Sequence, residues 1–191
     1  TCQRRSKIFP EFPMTDAYLL DTNVICALAD ASHKNHTAAF ARFQQVGQQF
    51  VLVPTMAVAE IEFGMARAAN VKPEKREELR KFIGQFEQLP FDNGCIEPYA
   101  VVRAELWRTF GTPKGSSFRE KRPEDLCERT TGKELGIDEP DLIIASVAMT
   151  QNLVLVTDDR IKRVKETAEK VFRDGRFPVQ LRTENWTAAV T

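Results

Sequence analysis

DLIIASVAMTQNLVLVTDD, residues 141–159, is the stretch on which the fold turns. Asp138 and Pro140, just ahead of it, are residue types that open helices, so DLIIASVAM reads as a strongly apolar helix. The short turn Gln151–Asn152 leads into the apolar strand LVLVT, and Asp158 and Asp159 follow that strand directly. A buried helix and a strand that ends in carboxylates thus form one unit.

The same order appears near the N-terminal end, where AYLL at 17–20 is a short apolar strand followed at once by Asp21. A helix begins over Val24–Leu28, another covers His36–Gln45, and FVLV at 50–53 is a second strand that Pro54 closes. Thr55 caps a helix running to about Ala69. Pro73 is tolerated in a first turn, and Leu79, Phe82, Ile83, Phe86 and Leu89 repeat at helical spacing until Pro90. Ile96–Phe110 is a further helix with Gly111 as its exit. The final helix places Ile161, Val164, Ala168, Val171 and Phe172 on one side and stops at Gly175, after which FPVQL at 177–181 is an edge-strand candidate. Helix and strand alternate, so the fold expected is α/β with a central parallel sheet between helices. Active sites in such sheets lie beyond the carboxyl ends of the strands, which is where Asp21, Asp158 and Asp159 fall.

Residues 112–135 break the pattern with charges of both signs, few apolar residues and the punctuation of Pro113, Gly115, Pro123 and Gly132. They read as an inserted polar loop, and disorder is the leading expectation for it. Residues 1–13, TCQRRSKIFPEFP, read as an extension upstream of a single domain over 14–191.

Lysine plus arginine balance aspartate plus glutamate at 27 each, so there is no overall basic footprint and any nucleic-acid contact must be local. Cys2, Cys26, Cys95 and Cys127 are far apart with no CxxC pair, which argues against a zinc ribbon or a disulfide framework and for free thiols. No run approaches the roughly 20 apolar residues of a membrane helix, and no apolar leader begins the chain, so a cytoplasmic location is expected.

Hydrolysis of phosphodiesters with a divalent metal needs several hard oxygen ligands in one cleft, and magnesium and manganese prefer carboxylates to nitrogen or sulfur. Asp21 at a strand end, Glu60 early in a helix, Asp141 in a first helical turn and the Asp158–Asp159 pair form such a set. An aspartate after a strand or at a helix start is usually a cap or turn residue, so Asp21 or Asp141 alone marks no site. Glu60 and Glu62 point about 160° apart on a helix, so only one can face the cleft, and periodicity does not choose between them. His33 and His36 share HxxH spacing but have no third nitrogen or sulfur ligand in view, so a solvated surface is expected. Solvation is likewise the default for Arg103, Arg119, Lys121, Arg122, Arg160, Lys162 and Arg163, and Phe40, Phe43, Phe63 and Trp107 read as core or partner contacts.

LLDTN at 19–23, AEIEFG at 59–64, DLIIA at 141–145 and LVTDD at 155–159, in that order, resemble the PIN domain and most closely the VapC toxins. LPFD at 89–92 and YAVVRAEL at 99–106 extend the likeness from about Tyr18 to Trp186. The resemblance implies a three-layer α/β/α fold, an endoribonuclease dependent on Mg2+ or Mn2+, a homodimer and a paired antitoxin. It assigns catalysis to Asp21, Glu60, Asp141 and Asp159, with Asp158 able to take the place of Asp159 as metal ligand. Thr22, Asn23 and Thr157 stand beside those acids as supporting residues, and the family pattern selects Glu60 over Glu62. The usual toxin has a much shorter link where residues 112–135 stand; a lid, an RNA-binding arm or an antitoxin contact are the alternatives to disorder there. Two rival functions are a haloacid-dehalogenase-like magnesium phosphatase, which requires a second aspartate where Asn23 stands, and a catalytically silent PIN-like binding module, which should have lost an acid.

Overall fold

The computed structural model describes residues 16–68, 72–158 and 161–188; the upstream extension at 1–13 lies outside the described residues. The chain runs β1 (Tyr18–Leu20), α1 (Thr22–Ala29), α2 (His36–Val46), β2 (Val51–Pro54), α3 (Thr55–Arg67), α4 (Pro73–Ile83), β3 (Glu87–Leu89) and α5 (Ile96–Phe110). A small hairpin of β4 (Pro113–Lys114) and β5 (Ser117–Phe118) follows, then α6 (Glu139–Thr150), β6 (Val154–Val156), α7 (Lys162–Arg173) and β7 (Arg182–Glu184).

Five strands form one sheet in the order β3-β2-β1-β6-β7, every neighbouring pair parallel, with helices flanking it in three α/β/α layers. Parallel strands need crossover segments that cover the sheet, which is why β1 and β6 are apolar at every position and wholly buried. Leu20 is in register with Val156, so the two central strands end level and the residues after them, Asp21 and Thr157, emerge side by side. Helix α6 packs against α3, α5 and α7, and Leu142 and Ile144 through Met149 are all buried, as its all-round apolar sequence requires.

Two expected elements differ. The helical spacing through Leu89 does not hold, because α4 stops at Ile83 and a turn over Gly84–Phe86 sends the chain into β3 beside β2. Phe82 and Phe86 keep their contact, edge to face at 5.1 Å, although they no longer share a helix, and this preserves the apolar repeat that mimics one. FPVQL is not the edge strand. Phe177 and Leu181 anchor it in the core, and the pairing with β6 is made by the next three residues, Arg182–Glu184.

The insertion at 112–135 is built rather than disordered. Glu120 accepts at both ends of the hairpin: its carbonyl takes the Trp107 indole N–H at 3.1 Å and its carboxylate takes the Thr112 N–H at 2.7 Å. Arg129 donates to the Arg108 and Gly111 carbonyls at 3.1 and 2.9 Å, satisfying acceptors that the end of α5 leaves open. A Cβ on Gly111 would stand 2.8 Å from the Phe118 ring, so glycine lets the hairpin close on the helix. Leu126, fully buried, and Ile137 pin the segment to the core. Leu126→Ala is expected to cost about 2–5 kcal/mol, the usual range for emptying a buried leucine site. The cost would be read as a lower melting temperature with new protease cleavage inside 112–135; an unchanged pattern would mean the segment is not packed.

Candidate active site

Asp21 begins where β1 ends. Its backbone N–H still donates to the Val156 carbonyl at 2.9 Å, so the β1–β6 ladder fixes its position, and the residue is only 5% exposed. As the N-cap of α1 its Oδ1 accepts from the Thr22 N–H at 2.7 Å, while Oδ2 accepts from the Thr157 hydroxyl at 3.0 Å. Asp21 thus caps α1 from the position where the sequence places a candidate site acid. Thr157 is buried and held in turn by its N–H to the Glu184 carbonyl.

Glu60 reaches the same edge from α3, its Oε2 accepting from the Thr22 hydroxyl at 2.6 Å. Glu62 faces away and makes a two-pronged pair with Arg80 at 2.7 and 2.6 Å. The structure thus separates the two glutamates as helix geometry demands, Glu60 on the side of Thr22 and Glu62 on the side of Arg80.

Asp141 comes from the opposite direction, in the first turn of α6. It forms a capping box with Asp138, Asp141 N–H donating to Asp138 Oδ1 at 3.2 Å and Asp138 N–H to Asp141 Oδ2 at 2.9 Å. The sequence marks Asp138 only as a helix opener, yet its charge is felt by Asp21, Glu60 and Asp141. The Asp-x-x-Asp spacing at a helix start is the signal that marks it. Asn23 sits half-buried in the first turn of α1. Asp158 adds its charge to the field at Asp21, while Asp159 and Arg160 lie outside the described residues.

Electrostatics tie these acids together. Burial raises the Asp21 carboxyl above its ordinary value, against the hydrogen bonds from Thr157 and Thr22, with Asp158 and Asp138 adding to the rise. Burial also raises Glu60, assisted by Asp138 and Asp21. Asp141 is pushed up to about 8, first by burial and then by the charges of Asp138, Asp21 and Glu60. Like charges desolvated together disfavour ionisation, and a cation among them would relieve both effects.

Among the described residues no three acid, histidine or cysteine side chains already form an ion cage. The donors nonetheless fit a hard divalent cation in chemistry, being carboxylate oxygens alone, buried and mutually repelling. The Oε1 of Glu60 and Oδ1 of Asp141 accept no hydrogen bond among the described residues, so one oxygen of each is left for a ligand. A cavity of about 380 Å3 lined by Thr157, Thr183 and the Lys162, Lys165, Glu166 and Glu169 side of α7 opens between α7 and β7, and Thr157, which donates to Asp21, is its link to the acids.

The other candidates lie apart. His36 faces the Ala27 carbonyl through Nδ1 at 2.9 Å, and His33 Nδ1 accepts from the Asn35 N–H, so HxxH is a local turn device. Arg163 pairs with Glu128 and Glu166, and Lys162 stands 3.9 Å from Glu166. Phe43 packs edge-on to Phe86 and Trp107 is buried, whereas Phe63 is 64% exposed with Arg67 over its ring. Cys26, Cys95 and Cys127 are free thiols, and Cys2 is outside the described residues. Among the described residues no helix is long and apolar enough to cross a membrane.

Residues 18–170 match the family model of the PIN domain. Ribonuclease VapC14 of Mycobacterium tuberculosis is 40% identical over 86 residues, which is 45% of this chain and 74% of the relative. Ribonuclease VapC2 of Rickettsia felis is 26% identical over 152 residues, covering 78% of this chain and 90% of the relative. The crystal structure of VapBC2 from Rickettsia felis bound to a DNA fragment from its promoter superposes with a TM-score of 0.58 at 21% identity, over 89% of this chain and 98% of that one.

Proposed function

Since this chain belongs to the PIN-domain family, we propose that it is a metal-dependent endoribonuclease and the toxin of a toxin–antitoxin pair. The observation that supports the proposal is that Thr22 joins Asp21 to Glu60, its N–H on one carboxylate and its hydroxyl on the other, while the charges of both acids reach Asp141. The likeness to two VapC ribonucleases supports RNA as substrate. A homodimer, a cognate antitoxin and a cytoplasmic location go with that reading.

Asp21, Asp141 and Glu60 would hold the ion, with Asp159 or Asp158 as fourth acid, and Mg2+ or Mn2+ suits such an all-oxygen set. When bound, the cation supplies positive charge against the scissile phosphate and lowers the pKa of water beside it. The chain's own part is preorganisation. Thr157 and the Thr22 N–H hold both oxygens of Asp21, and the Thr22 hydroxyl holds one oxygen of Glu60, so these carboxylates need no reorientation during the reaction. Water is the nucleophile, and no side chain has to form a covalent intermediate.

The phosphatase alternative lacks its second aspartate, the position being Asn23. The silent-module alternative, which should have lost an acid, is disfavoured because Asp21, Glu60 and Asp141 are all present. A fluorogenic single-stranded RNA is expected to be cleaved with Mn2+, to survive in EDTA and to be cleaved again on adding excess Mn2+, while an aryl phosphate stays intact. Cleavage that persists in EDTA, or turnover of the aryl phosphate alone, would overturn the assignment.

A further inference from the structure

Helix α7 has two faces with different surroundings. Val164, Thr167, Ala168 and Val171 are buried, whereas Lys162, Lys165, Glu166 and Glu169 follow the spacing that gathers them on another face. That face, with Ile161, Thr157 and Thr183, lines the cavity of about 380 Å3 between α7 and β7. The volume is at the lower end of the range of about 300–1,000 Å3 in which small ligands are held, which suits one nucleoside rather than a length of strand.

Thr157 sets where the cavity lies. Its hydroxyl donates to Asp21 Oδ2 at 3.0 Å, so the lining begins one hydrogen bond from a candidate metal ligand. The charges of α7 set what the cavity can hold. Glu166 is engaged by Arg163 and stands 3.9 Å from Lys162. Lys165 and Glu169 are both half-buried, one helical turn apart, and neither makes an ion pair or a side-chain hydrogen bond among the described residues. A half-buried charge without a partner costs free energy that a polar ligand can recover. Two lysines and two glutamates cancel, so the lining has no net attraction for a phosphate. It offers instead ammonium donors and carboxylate acceptors side by side, with the apolar Ile161 beside them.

We propose that this cavity is a base-recognition subsite for the nucleotide next to the scissile phosphate and that it takes guanine, Glu169 accepting from N1–H and the 2-amino group while Lys165 donates to O6. The proposal rests on the ribonuclease reading. Single-stranded RNA is read by hydrogen bonds to the Watson–Crick edges of unstacked bases. On that edge guanine alone sets two N–H donors next to a carbonyl, a match for one carboxylate and one ammonium. Adenine, cytosine and uracil each present a single donor there and would leave one oxygen of Glu169 stranded. The cavity then chooses the base, and the acids beyond Thr157 act on the phosphate attached to it.

The test titrates the wild-type chain, in EDTA, with guanosine, inosine, adenosine, cytidine and uridine by saturation-transfer NMR. Guanosine should bind saturably, and inosine, which lacks only the 2-amino group, about tenfold more weakly, the usual cost of one stranded acceptor. Glu169→Gln should bring guanosine down to the affinity of inosine, and Lys165→Met should weaken it about tenfold. Glu77→Gln, exposed on α4, should leave it unchanged. Lys165 and Glu169 hold no other side chain, so both variants should keep the wild-type melting temperature, and the nucleoside series on the wild type decides even if one unfolds. Absence of saturable guanosine binding, equal affinity for inosine, binding that survives both substitutions, or displacement of guanosine by inorganic phosphate would each overturn the proposal, the last by giving the lysines to a phosphate. No RNA is cleaved in these titrations, so their failure is separable from failure of the ribonuclease reading, which the wild-type assay decides. With active enzyme, the products of a random-sequence RNA should show guanine enriched on one side of the cut, and Glu169→Gln should abolish the enrichment; cuts without base preference would again overturn the proposal.

Discussion

Asp21→Asn is expected to lower kcat/KM for RNA cleavage at least about a thousandfold, equivalent to roughly 4 kcal/mol of lost transition-state stabilisation. The substitution keeps shape and hydrogen bonding: the remaining carbonyl oxygen can accept from the Thr22 N–H, and the new amide can donate to the Thr157 hydroxyl, which turns to accept. Only the charge is lost, and with it a ligand for the cation. Stability should move the other way. Asp21 has a raised folded-state pKa, so its ionised form penalises the fold above that pKa, and the penalty vanishes below the unfolded value. Without metal, the variant should therefore melt at or above the wild-type temperature at pH 8, with the gap closing as pH falls toward 4. Unfolding of the variant together with its inactivity would point to a structural role for Asp21 instead.

Glu105→Ala is expected to produce the largest loss of stability, about 3–5 kcal/mol, the range for stranding the partners of a buried charge. Glu105 is 3% exposed in α5 and receives Lys170 at 2.5 Å, Arg176 at 2.8 Å and Arg108 at 3.4 Å, which fastens α5 to α7 and to the turn behind it. Burial alone would raise its carboxyl, but the hydrogen bond from Lys170 and the positive charge of Arg176 beside it outweigh that and hold it below its ordinary 4.5. A depressed pKa means stability that is present above 4.5 and disappears as pH falls through the folded value. The difference in melting temperature between wild type and variant, of order 10 °C at pH 7 for a chain this size, should hence shrink below about pH 4.5. A gap independent of pH would assign the loss to packing rather than charge.

Much of this architecture can be read from residues because its centre is apolar on every side. The runs at 17–20 and 141–157 have no polar face to misplace them, and the carboxylates that follow mark the sheet edge where the site forms. β3 and β7 were hidden for the opposite reason. Their sequences, Glu87–Leu89 and Arg182–Glu184, carry no apolar alternation, and only backbone pairing with β2 and β6 makes them strands. The insertion misled because its buried residues Pro123 and Leu126 are isolated among charges that read as solvent-loving. At the site, spacing alone left Glu60 and Glu62 equivalent until α3 was seen to turn one toward Thr22 and the other toward Arg80. Asp138 entered through a capping box whose second partner is a candidate ligand, a coupling that no single-residue reading exposes.

Binding of Mn2+ to the metal-free chain at pH 8, followed by loss of the free-ion electron paramagnetic resonance signal, tests the convergence of the acids most directly. The wild type should bind, and Asp21→Asn, Glu60→Gln and Asp141→Asn should each weaken affinity at least tenfold, or about 1.4 kcal/mol, while Glu62→Gln leaves it unchanged. Wild-type affinity in all of the first three variants would show that these carboxylates do not share an ion, and the proposed nuclease centre would have to be abandoned.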